Sequence, residues 1–112
     1  MKYSKKKVNE IAYDAEAHPK TVHAIVEAFR DSYILKNSYA VPISEMIERI
    51  MENETDGKHL SKDYKIYSTI NHARDSIHKL MDSNYISLKK RKSETYVVPK
   101  NDLIILLEEG NS

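Results

Sequence analysis

The sequence predicts a mainly α protein with one small β-hairpin, an α+β fold, and a change of pattern near Met81 indicates this most clearly. From Ile66 to Met81 the apolar residues recur at steps of three and four, the spacing that places them on one face of a helix. The two runs that follow, at 85–88 and 95–98, are mostly aromatic and β-branched, and a polar turn separates them. We therefore expect a long helix at about 66–82 and a hairpin at about 85–99.

The order of a helix followed by a charged hairpin resembles the winged helix-turn-helix, a fold of small DNA-binding regulators of bacteria, archaea, plasmids and phages. The hairpin carries the basic run Lys89-Lys90-Arg91-Lys92, which we predict to form its tip. By this resemblance the helix at 66–82 is the recognition helix, and the hairpin is the wing. Lysines in a hairpin also keep an edge strand from aggregating, so the basic run by itself leaves both roles open.

The N-terminal half is predicted to contain the remaining helices and one short strand. Ser4 is a suitable N-cap for a first helix over 4–17, and Pro19 fits the first turn of a second helix that reaches Leu35. Further along, the pattern predicts a strand at 39–41, a helix at 43–51 and an exit turn at 53–57.

One domain over 1–112 is the favoured organisation, because a chain of 112 residues can hardly bury two separate cores. Within this winged helix-turn-helix domain, 1–17 is an N-terminal extension helix, 18–99 the core, and 100–112 a C-terminal segment for dimerisation or capping. The alternative is that the N-terminal helical pair forms a second DNA-binding unit.

The segment at 10–26 resembles the helix-turn-helix of lac-repressor-type bacterial regulators. The similar residues are Ile11-Ala12 and Ala15 in the first helix and Thr21-Val22 in the second. The resemblance implies groove-facing or phosphate-facing positions for the residues that begin the second helix, Pro19, Lys20, Thr21 and His23. That family has glycine in the turn, where φ is positive, whereas this chain has Glu16. The segment is also similar to the opening helical hairpin of histone-like bacterial DNA-bending proteins.

The polar face of the long helix and the basic hairpin supply the candidate DNA contacts, since such side chains can donate to phosphates and base edges. From the helix we expect contacts by Ser68, Asn71, His72, Arg74, His78 and Lys79. From the hairpin and the second helix we expect contacts by Lys89, Lys90, Arg91, Lys92, Lys20 and Thr21. Among these, Asn71, Arg74 and His78 are predicted to read bases.

Composition argues against an enzyme and against a membrane protein. The chain has 2 glycines, too few for a glycine-rich phosphate loop, and the histidine pairs 18/23 and 72/78 lack the helical spacing of metal ligands. We therefore expect no catalytic residue, no cofactor and no metal. Cysteine is absent and the longest apolar run, 103–107, is too short to span a bilayer, so a cytoplasmic protein is expected.

Charge and apolar patterning indicate the partners. The net charge is only +1, but basic residues gather near the N-terminus and at 89–92, with an acidic block at 45–56 between them. We expect double-stranded DNA as the partner and a homodimer formed through the apolar run at 103–107, although this run could equally be an ordinary buried helix or strand. The alternative function is a small phage- or plasmid-encoded protein that binds and modulates a host protein through the same scaffold.

Overall fold

The computed structural model describes the backbone of residues 3–54 and 62–110 and the side chains of residues 3–52 and 70–110. The predicted exit turn at 53–57 and the side chain of Ser68 therefore lie outside the described part of the chain. Five helices and three short strands occupy the described ranges. In chain order they are α1 (Lys5–Ala15), α2 (Pro19–Lys36), β1 (Val41–Pro42), α3 (Ile43–Glu54), α4 (Lys62–Asp82), β2 (Ile86–Arg91), β3 (Glu94–Pro99) and α5 (Asp102–Gly110).

The three strands form one small antiparallel sheet with the order β1-β3-β2. In the hairpin, Ile86 pairs with Pro99, Leu88 with Val97, and Lys90 with Thr95. The short strand β1 joins the other side of β3, where Val41 pairs with Val97. The expected mainly α architecture with a small β element is confirmed at the level of an α+β fold.

The core is one cluster of buried side chains, and each of the five helices and three strands contributes to it. Helix α2 lies at its centre, because Val22, Ile25, Val26 and Phe29 are all fully buried. These positions follow the three- and four-residue spacing of a single helix face. The core side of α4 consists of Ala73, Ile77 and Leu80, and the core side of the sheet consists of Val41, Ile86 and Val97.

Local capping explains where the first two helices begin and end. The Ser4 Oγ accepts a hydrogen bond from the Lys7 backbone N–H at 3.3 Å, which confirms the predicted N-cap. Helix α1 ends at Ala15 and is capped by Glu16, whose φ of 57° is left-handed, so this turn has the geometry for which glycine is usually selected. Helix α2 has an unusual N-cap, His18, whose Nδ1 accepts from the Lys20 backbone N–H at 3.2 Å.

The sequence leaves two roles open for the apolar run at 103–107, a dimer contact or an ordinary buried element, and in the structure most of the run is buried within its own chain. Helix α5 buries Leu103, Leu106 and Leu107 in the core of its own chain. Ile104 is half-buried and Ile105 is 53% exposed. Three of the five apolar residues are therefore ordinary core, and only the two isoleucines can face another molecule.

Candidate nucleic-acid interface

Helix α4 presents a narrow polar stripe to solvent. Asn71, Arg74 and His78 are exposed and separated by three and four residues, so they lie on one side of the helix, opposite Ala73, Ile77 and Leu80. With this arrangement, one face of the helix packs in the core, and the opposite face presents hydrogen-bond donors to solvent. The residues predicted to read bases thus lie together on this accessible stripe.

Two further predicted contacts from α4 lie at the edge of this stripe and interact within the chain. His72 is half-buried, and its Nε2 lies 3.2 Å from the Thr21 Oγ1 of α2. Lys79 forms an ion pair with Asp75, one helical turn earlier, at 3.1 Å. This ion pair partly neutralises the negative charge of Asp75 beside the stripe. His72 and Lys79 are therefore less available to a ligand than the other three residues.

Thr21 is not the groove-facing residue that the lac-repressor-type resemblance implies. Its side chain has no exposed surface, because α4 covers it and His72 contacts it. The neighbouring Lys20 is exposed at the first turn of α2 and remains accessible. Pattern matching over 10–26 could not detect this burial, since the residue that contacts Thr21 comes from a distant part of the chain.

The half-buried His23 belongs to a network that holds the N-terminal segment. Its Nε2 lies 3.2 Å from Asn9 Oδ1, and its Nδ1 lies 3.5 Å from the hydroxyl of Tyr3. That hydroxyl also donates to Glu27 at 3.2 Å. Burial lowers the pKa of His23, whereas burial and the carboxylate of Glu27 raise the pKa of Tyr3 to about 12. These contacts indicate a structural role for His23.

The basic run is divided between the two faces of the sheet, contrary to its predicted place in the hairpin tip. Lys89, Lys90 and Arg91 belong to strand β2, and only Lys92, with a φ of 56°, lies in the turn. Alternate residues of a strand point to opposite faces. Lys90 therefore shares the face of Ile86 and Leu88, which packs towards α4, whereas Lys89 and Arg91 lie on the outer face.

The outer face of the sheet forms a groove that the sequence did not reveal. We call it the outer groove, and its volume is about 320 Å³. Lys89 and Arg91 stand at the sheet side, and Ile104 and Glu108 of α5 stand at the other side. Its apolar and aromatic lining includes Tyr39, Tyr96 and Val98. The alternation along β2 was visible in the sequence, but the wall formed by α5 was not.

A second cleft, of about 300 Å³, separates α1 from α5. Tyr85 lies in it and donates a hydrogen bond to Asp14 at 2.7 Å. Burial and this bond raise the pKa of Tyr85 to about 12. Lys7 bridges the two helices through an ion pair with Glu109 at 2.8 Å. The Tyr85–Asp14 hydrogen bond and the Lys7–Glu109 ion pair thus connect α1 to the residue before β2 and to α5.

No protein-family model, no curated protein and no solved structure matches this chain. Among the described side chains, those of residues 3–52 and 70–110, no three from His, Cys, Asp or Glu lie close enough together to hold a metal ion. No helix in these ranges has the length and apolar character needed to cross a bilayer. The accessible polar strip of α4 and the divided basic strand are therefore the features from which a function can be argued.

Proposed function

We propose that this protein is a winged helix that binds double-stranded DNA as a sequence-specific transcriptional regulator. The observation that carries the proposal is the exposed stripe of Asn71, Arg74 and His78 on the helix that leads directly into the basic hairpin. The order α2-β1-α3-α4-β2-β3 and the sheet order β1-β3-β2 are those of a winged helix, which supports the proposed fold. Helix α1 is then the N-terminal extension.

Base recognition is assigned to the stripe on α4. An arginine can donate two hydrogen bonds to guanine, an asparagine can pair with adenine in two places, and a histidine can donate to an acceptor on either base. These three side chains lie side by side on a helix whose opposite face is fixed in the core by Ala73 and Ile77. A rigid support of this kind keeps the donors in register with the base edges.

Phosphate contact in the wing is assigned to Lys90 and Lys92. Lys90 lies on the sheet face that packs towards α4, and Lys92 lies in the exposed turn. Lys89 and Arg91 point to the outer face and are assigned no contact with the duplex that α4 binds. Lys20, exposed at the start of α2, is a further candidate, because His72 and Thr21 bring this end of α2 beside α4.

The experiment compares two double variants with equal loss of charge. Lys90→Gln with Lys92→Gln removes the assigned contacts, and Lys89→Gln with Arg91→Gln is the matched control. Binding to a pool of mixed-sequence duplexes is measured over a series of salt concentrations. Each lost phosphate contact lowers the slope of log K against log salt by about one unit, so the first variant is expected to lose about two.

The control variant is expected to keep nearly the full slope and to lose affinity only through long-range electrostatics. Equal losses in both variants would refute the assignment of the wing lysines by sheet face. A wild-type protein that does not bind the duplex pool even at low salt would refute DNA binding itself. The alternative would then be a protein-binding module, for which the exposed Glu45 and Glu48 of α3 offer an acidic surface.

A further inference from the structure

The cleft between α1 and α5 has an apolar base and a charged rim. The buried side chains of Ile11 and Leu106 line its base, and the partly exposed Ile105 extends this apolar surface along α5. Tyr85 is half-buried in the cleft and belongs to the short connection between α4 and β2. The volume of about 300 Å³ is at the lower end of the range for small-molecule sites, so the cleft fits a ligand with a small apolar body.

The rim of this cleft has an excess of negative charge. Its charged lining residues are Lys7, Glu10 and Asp102. Lys7 is already paired with Glu109 at 2.8 Å, and this pair together with the charge of Glu10 raises the pKa of the lysine. Glu10 and Asp102 themselves form no ion pair among the described side chains. The charges of Lys7 and Glu109 cancel, and two carboxylates remain.

Two nearby lysines leave this excess in place. Lys6 lies one turn before Glu10 on α1, but the two side chains form no ion pair. Lys100 precedes Asp102 by two residues and does not pair with it either. Neither lysine lines the cleft. A cation is therefore the charge that complements the rim.

Tyr85 adds a hydrogen-bond acceptor and an aromatic ring to the cleft. Its hydroxyl donates to Asp14 at 2.7 Å. Burial, this bond and the charges of Asp14 and Asp102 raise the pKa of Tyr85 to about 12, so the hydroxyl stays protonated. Because its hydrogen is directed to Asp14, the oxygen can serve a ligand only as an acceptor. Aromatic rings also attract an ammonium ion placed over their faces.

We propose that the cleft between α1 and α5 binds a small amphiphilic amine. Its ammonium group lies at the rim beside Glu10 and Asp102, and its apolar body covers Ile105 and the buried base. An ammonium group has three donors and no acceptor, which suits a rim that offers carboxylates and a tyrosine oxygen. The inference does not depend on DNA binding, because the cleft contains no residue of the α4 stripe and no wing lysine.

The first test compares amines with uncharged molecules of the same shape. The probes are phenethylamine and hexylamine, and their counterparts are phenethyl alcohol and hexanol. Each is titrated at constant pH and salt into the isotopically labelled full-length protein, and the backbone amide signals are followed by nuclear magnetic resonance. Each amine is expected to shift the amides of Ile11, Tyr85 and Leu106. It should bind about fivefold more tightly than its alcohol, the gain expected from two exposed ion pairs.

The second test removes the two carboxylates. The double variant Glu10→Gln with Asp102→Asn is expected to bind the amine and the alcohol about equally, with the affinity for the alcohol unchanged. Glu45→Gln with Glu48→Gln on α3 removes the same charge away from the cleft and is expected to keep the preference. Glu10→Gln alone, at an exposed position of α1, is expected to lose about half of the preference on a logarithmic scale. The amide spectra show whether each variant remains folded.

Alcohols that bind the wild type as tightly as the amines would overturn the proposal. The same conclusion would follow if neither amine shifted the amides of the cleft up to its solubility limit. Equal losses of preference in the two double variants would indicate general attraction of cations by the protein and would refute the site. None of these outcomes bears on binding of the mixed-sequence duplexes, which tests the proposed function separately.

Discussion

Two neighbouring residues of α5 should differ sharply in their contribution to stability. Leu103 has no exposed surface, whereas Ile105 is 53% exposed, although both belong to the same apolar run. Truncation of a buried leucine to alanine costs about 2.7–5 kcal/mol, the sum of lost transfer energy and the cavity that remains. Leu103→Ala should therefore lower the free energy of unfolding by at least about 2.7 kcal/mol, which is on the order of a hundredfold in the unfolding equilibrium.

The cost of Ile105→Ala follows from its half burial. Full burial of an isoleucine side chain stabilises by about 1.5–3 kcal/mol, so burial of half the side chain corresponds to about 1 kcal/mol. The better helix propensity of alanine offsets a few tenths of a kcal/mol. The expected loss is thus about 0.5–1 kcal/mol.

Urea denaturation followed by circular dichroism measures both variants, at a low protein concentration where association does not contribute. A cost for Ile105→Ala equal to or greater than that for Leu103→Ala would show that α5 packs with a different face and would refute the reasoning.

The burial of the three leucines of α5 also determines what a truncation before Asn101 does to the protein. Removal of the three buried leucines costs about 8 kcal/mol at the lower bound, comparable with the whole stability of a small domain, so truncation is expected to unfold the chain rather than yield a folded monomer.

Three further predictions concern single residues. Arg74→Ala should cost about 1–3 kcal/mol of binding to a site selected from random duplexes and much less on unselected DNA, and equal losses on both would make this residue a phosphate contact. Because burial lowers the pKa of His23, protonation is disfavoured in the folded state, so the free energy of unfolding should fall as pH decreases below about 6.5. His23→Gln should flatten this decrease in urea titrations between about pH 7 and 5, and an unchanged profile would exclude the histidine as its source. Glu16→Gly should raise the free energy of unfolding by about 0.5–1 kcal/mol, since glycine adopts the left-handed φ of 57° without a Cβ clash, and a lower urea midpoint would contradict this.

The elements of this fold follow closely from local sequence pattern. The hydrophobic spacing of α2 and α4, the Ser4 cap and the change to β-rich residues after Met81 are properties of short segments, and each helix or strand occurs near its predicted position. Such features depend on backbone periodicity and on hydrogen bonds within a few residues. The stripe of Asn71, Arg74 and His78 could be predicted for the same reason.

The tertiary structure decided which of these residues remain accessible. Thr21 is polar and close to an exposed lysine, yet it is buried because His72, 51 residues away along the chain, contacts it. Leu103 and Ile105 are alike in the sequence, and only the position of α5 against the core separates them.

The basic run shows the same division between local pattern and packing. The alternation of a strand requires that Lys89 and Lys90 point to opposite faces, and the sequence contains that information. Which face packs towards α4 and which becomes a groove depends on where α4 and α5 lie against the sheet. Local hydrogen bonding thus determined the elements, whereas burial between segments distant in sequence determined the surfaces they present.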